Sequence, residues 1–86
     1  MPVYIDVHEN LAEGLTRQAV ADAHARDVEV QQKHGVRFLQ YWFSEEGRRL
    51  YCLVEAPSKE AAEAVHREAH GLVANEILEV RQASEL

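Results

Sequence analysis

Hydrophobic positions along the 86-residue chain follow two periods, and the switches between them mark out the elements. Val3, Ile5 and Val7 alternate with Tyr4, Asp6 and His8, the period of two that predicts a strand. Asn10 to Gly14 reads as a loop. Thr16 is placed to cap a helix over Arg17 to Lys33, closed by Gly35. Val36 to Phe43 is rich in aromatic and β-branched residues and predicts a second strand. Ser44-Glu45-Glu46-Gly47 forms a hairpin turn into a third, Leu50 to Glu55, which Ala56-Pro57 ends. Ser58 caps a second helix over Lys59 to His70, Gly71 stops it, and Ile77 to Val80 is a last short strand.

The order β-α-β-β-α-β uses the strand–helix–strand crossover twice with a hairpin between, which predicts a ferredoxin-like α+β fold. Residues 1–86 make one domain of this kind: a four-stranded antiparallel sheet with two helices on one face. The other face is expected to be apolar as well. In the second strand Phe38 and Trp42 fall on one side, Leu39, Tyr41 and Phe43 on the other; the third places Leu50, Cys52 and Val54 opposite Tyr51 and Leu53. Strands apolar on both sides are covered on both sides. With no further chain to do this, a second copy is the economical cover, giving a sheet-to-sheet homodimer.

Composition narrows the function classes. Net charge is −6, and the only adjacent basic pair, Arg48-Arg49, reads as a gatekeeper on a sticky hairpin, so no nucleic-acid-binding stripe exists. No apolar run approaches membrane-spanning length, and the N-terminus lacks a secretory pattern. The single Cys52 cannot form an internal disulfide, which points to a cytoplasmic home. Five histidines are an excess that asks for an explanation.

The first helix carries the sharpest signal. Gln18, Asp22, Arg26, Glu29 and Lys33 cluster on its solvent face, while the opposite arc around Val20 holds His24, Asp27 and Gln31. An imidazole, a carboxylate and an amide facing a core each need a partner. A metal ion would satisfy the first two together, and a buried hydrogen-bond network with Tyr41 or Glu55 would serve equally. On the second helix, His66 and His70 lie four residues apart on one face, about 6 Å along the axis, which suits chelation. The apolar stripe of Val65, Ala69 and Leu72 places His66 at its flank and His70 further out, as an ordinary surface pair would be. His-Arg-Glu-Ala-His is not the zinc-protease motif, because no Glu follows the first histidine. Topology puts His66 and His70 at one end of the fold, with Asp27, Gln31 and Glu55 at the other. Two sites, or one between His24 and His66, are both open. Cys52 reads as a small buried hydrophobe before a ligand, and His8 and His34, at element ends, as solvated.

Tyr51-Cys52, Ala56-Pro57, His66, Gly71, Ala74-Asn75 and Ile77-x-x-Val80 carry a resemblance that runs from Val3 to Val80. The chain resembles small bacterial nickel-binding ferredoxin-like proteins, a family first catalogued as a domain of unknown function. The resemblance implies a homodimer that binds nickel, for sequestration or sensing. Among the candidate ligands, only His66 matches a histidine position of the better-known nickel binders. His24, Asp27, Gln31, Glu55 and His70 follow the pattern of one subgroup. By chemistry, zinc, copper or cobalt would suit the same residues. Two other readings remain open: a metal-dependent enzyme with Asp27 or Glu55 as general base, and a metal-free dimeric module holding a small-molecule ligand.

Overall fold

The structure, a computed structural model, describes residues 1–85. Its strands and helices follow the order the pattern predicts: β1 (Val3–His8), α1 (Arg17–Gln31), β2 (Arg37–Ser44), β3 (Arg49–Glu55), α2 (Lys59–Ala69) and β4 (Glu76–Val80). Each helix begins at a hydroxyl cap. Thr16 Oγ1 accepts from the Ala19 amide at 3.1 Å and Ser58 Oγ from the Ala61 amide at 3.1 Å, satisfying first-turn donors that have no partner within the helix. α1 tightens into a 3₁₀ turn over Gln32–His34 and ends at Gly35, whose φ of 69° lies where a side chain would be strained.

The strands pair antiparallel throughout in the order β2-β3-β1-β4, and the two helices pack together over one face. This is the ferredoxin-like α+β arrangement. Asn75 fastens its edge: the Asn75 amide donates to Val7 O at 2.8 Å, and its side-chain oxygen accepts from the Glu9 amide at 2.7 Å. That clasp gives the Ala74-Asn75 pair a structural role, holding the end of β1 to the start of β4.

Two features of the sheet lie beyond what alternation reveals. β1 turns Tyr4, Asp6 and His8 under the helices, at 6%, 0% and 4% exposure, and directs Val3, Ile5 and Val7 to the other face. The period identifies a strand without saying which side is buried, and here the more polar side is. His8, expected in solvent, is therefore a core residue. In β2, Phe38 pairs with Val54 but Gln40 pairs with Leu53, so Leu39 is an extra residue in a bulge. Beyond it the alternation inverts. Phe38, Tyr41 and Phe43 all register with the helix-side residues Val54, Cys52 and Leu50, and Trp42 registers with Tyr51 on the far side. The expected pairing of Phe38 with Trp42 on one face is corrected by that one residue.

The core between sheet and helices is built from Tyr4, Val36, Phe38, Cys52, Val54, Ala56, Ala62 and Val65. The far face is apolar too: Ile5 lies between Leu53 and Leu78, and Tyr51 between Val7 and Trp42. Trp42 and Leu78 remain 48% and 46% exposed there. No helix among the described residues is long and apolar enough to cross a membrane.

Phe38 is the largest apolar side chain of this core and stacks obliquely on His66 at 4.9 Å between ring centroids. Phe38→Ala is expected to cost about 3–5 kcal/mol, read as a lower urea midpoint at unchanged slope.

Candidate metal centre

Ala62, Val65 and His66 form the buried face of α2, and His66, at 1% exposure, is the largest fully buried side chain described. The sequence places it at the flank of the apolar stripe. The structure buries it because the strand beneath presents Asp6 and His8 rather than hydrocarbon, so a polar ring is what that space accepts.

Both nitrogens of the ring are engaged by carboxylates. Nε2 donates to Asp6 Oδ2 at 2.8 Å, and Nδ1 donates to Asp27 Oδ1 at 2.9 Å. Carboxylates only accept, so the ring between them is an imidazolium. Burial alone would push it toward the neutral form, but the bonds to Asp27 and Asp6 outweigh burial and hold its pKa up at about 9. Burial likewise works against ionised Asp6, and the His66 bond with the nearby His8 ring overcomes it, bringing Asp6 down to about 2. Asp27 is lowered in the same way by His66 and His70, against its burial.

Two groups of donor atoms flank the ring, each within a span of 4.8 Å. On the Nε2 side stand Asp6, His8 and Cys52, all buried. His8 Nε2 lies 3.2 Å from Asp6 Oδ1, but the two are so oriented that no hydrogen bond forms, and both atoms remain buried without a partner. Burial, with Asp6 beside it, pushes the Cys52 thiol far up. On the Nδ1 side stand Asp27 and His70, whose Nε2 is 3.0 Å from Asp27 Oδ1. The His70 ring is fixed by its other nitrogen, since Nδ1 accepts from the Leu72 amide at 3.1 Å.

The other residues singled out in the sequence make contacts of their own. His24 stacks on Tyr41 at 4.3 Å, and burial lowers its pKa. Gln31 Oε1 accepts from the Phe38 amide at 3.0 Å, joining the end of α1 to β2. Glu55 Oε1 accepts from Arg37 Nε at 3.2 Å. His34 lies 3.1 Å from Glu68. None of these four belongs to either donor group. Asp27, assigned by topology to the opposite end from His66, meets it because each lies about one turn inside its helix end. Asp6 and His8 went unselected, as their alternation on β1 reads as a solvent face until the pairing Asp6–Cys52 is known. A partly open cavity of about 50 Å³ adjoins the centre, bounded by His8, His70 and the apolar Leu11, Leu15 and Leu72.

The charges fix how metal-free protein responds to pH. His66 is raised, so its contribution is fully present below about 6.5 and is lost as pH rises through about 9; that of Asp6, which is lowered, is lost as pH falls toward about 2. Chemical denaturation is expected to show stability declining across the alkaline window. His66→Leu removes the imidazolium the two buried carboxylates share, leaving Asp6 beside His8 and Asp27 beside His70 alone, at a cost of about 3–5 kcal/mol at neutral pH. It should reverse the trend, gaining stability as the solution is made acidic.

Comparison with known proteins agrees with this architecture. No curated protein matches the chain. The crystal structure of SCO4226 from Streptomyces coelicolor A3(2) superposes with a TM-score of 0.87 at 37% identity, covering 94% of this chain and 98% of that one. The family described as "Nickel responsive protein SCO4226-like" matches residues 4–80. The chain therefore belongs to the SCO4226-like family of nickel-responsive proteins.

Proposed function

We propose that this protein binds a divalent transition-metal ion at the cluster centred on His66, with nickel the metal its family suggests and sequestration or sensing the role. The observation that carries the reading is the pair of orphaned buried atoms, Asp6 Oδ1 and His8 Nε2, beside a fully buried imidazole. Buried polar atoms without partners cost roughly 1–3 kcal/mol each, and an ion accepting both lone pairs removes that cost. Imidazole nitrogen beside carboxylate oxygen fits nickel, zinc, cobalt and copper, whereas magnesium and calcium take an all-oxygen shell. The adjoining cavity supplies a route for entry.

An ion that binds only the folded state raises stability by about 2.7 kcal/mol at a hundredfold excess over its Kd. For a chain of this size that is roughly 10–20 °C in Tm. Untagged, metal-stripped protein titrated with nickel is expected to show such a rise, and His66→Ala to abolish it. Unchanged melting with nickel, zinc, cobalt and copper would sink the reading.

The same proposal includes a homodimer joined through the open sheet face. Trp42, Leu78 and Leu39 are large residues left exposed there, beside Ile5, Tyr51 and Leu53. Trp42→Glu places a charge in the middle of that face and is expected to give a monomer in light scattering where the parent is a dimer. A monomeric parent would refute this part.

A further inference from the structure

The two donor groups around His66 are chemically unequal, and the difference decides where an ion goes. This step rests on the metal-binding reading above. A histidine that ligates through one nitrogen carries its proton on the other and donates it to a partner. His70 does not meet that condition. The Leu72 amide donates to its Nδ1, so that nitrogen holds a lone pair and the neutral ring carries its proton on Nε2, which lies 3.0 Å from Asp27 Oδ1. Ligation through Nε2 would put the proton on Nδ1, against the Leu72 N–H. The Nδ1 side of His66 thus holds one hydrogen bond, His66 Nδ1–H to Asp27 Oδ1, with His70 Nε2 3.0 Å from the same oxygen.

On the Nε2 side the opposite holds. Asp6 Oδ1 and His8 Nε2 are buried and make no hydrogen bond, 3.2 Å apart, in side chains 0% and 6% exposed. No hydrogen bond fixes the tautomer of His8. Cys52 Sγ lies within 4.8 Å of these donors, on the strand neighbour of Asp6. We propose that the ion is held by Asp6, His8, Cys52 and His66 Nε2, and that Asp27 and His70 are positioning residues that hold the His66 ring through Nδ1–H. Two nitrogens, one oxygen and one sulfur make a donor set of borderline-to-soft character, which favours nickel, cobalt, zinc or copper over hard cations. The Cys52 thiol and the His66 Nε2–H each give up a proton to solvent on ligation, the Nε2–H bond to Asp6 is broken, and the ion takes the place of both protons.

The test counts ions per chain by native mass spectrometry and records the absorption of the cobalt and nickel complexes. The parent is expected to take up one ion per chain with a sulfur-to-metal charge-transfer band in the near ultraviolet. Cys52→Ser, almost isosteric, should erase the band, and His8→Ala should abolish uptake. Asp27→Asn and His70→Ala should retain one ion and the band with affinity lowered about 10–100-fold. A parent complex without the band overturns the assignment. So does loss of the ion in His70→Ala while His8→Ala and Cys52→Ser keep it. Failure of the parent to bind any of these metals would instead overturn the metal-binding reading itself.

Discussion

The pair of charged hydrogen bonds that His66 makes with Asp6 and Asp27 is the constraint on which the rest of the structure depends. It joins α2 to β1 and α1 through a single ring buried at 1% exposure. Two carboxylates face one imidazolium there, so the interior is left with an excess of negative charge. Each carboxylate by itself would be pushed toward neutrality by burial, and each stays ionised because the ring lies between them. Removing the ring takes from both the one counter-charge that is hydrogen-bonded to each. Such a centre contributes little net stability compared with hydrocarbon of the same shape, and its retention at the heart of so small a fold is what directs attention to chemistry.

Around this centre the fold is ordinary. Capping hydroxyls set the helix starts, Gly35 ends α1, and an apolar layer of Phe38, Val54, Ala62 and Val65 surrounds the polar one. Membership of a nickel-responsive family gives the polar layer a context. The chemistry that follows from the residues themselves is ligation: nitrogen, oxygen and sulfur donors brought together from two strands and a helix.

The elements and their order were legible in the chain because periodicity, caps and turn residues all act locally. The faces were harder to read. Whether Tyr4-Asp6-His8 or Val3-Ile5-Val7 is buried depends on where the helices lie, and the single added residue Leu39 inverts the alternation of β2. Inward-facing Asp27 was recognisable from helical geometry. His66 was undervalued because its stripe position looks marginal on a helical projection, where the depth of the strand below is invisible. Asp6 and His8 carried the right chemistry at a period that usually means solvent, and only the pairing of β1 with β3 shows otherwise.

The span of the His66 bonds along the chain has a consequence for how the molecule assembles. Asp27 and Asp6 lie 39 and 60 residues before their partner, so each charge is compensated only once its own long loop has closed. Hydrophobic collapse can bring α2 over the sheet, but the register of that docking is proofread by whether one ring meets two acids. A helix shifted by a turn would bury the acids with no counter-charge. The centre thus favours one arrangement of three elements over others that the surrounding alanines and valines would not distinguish.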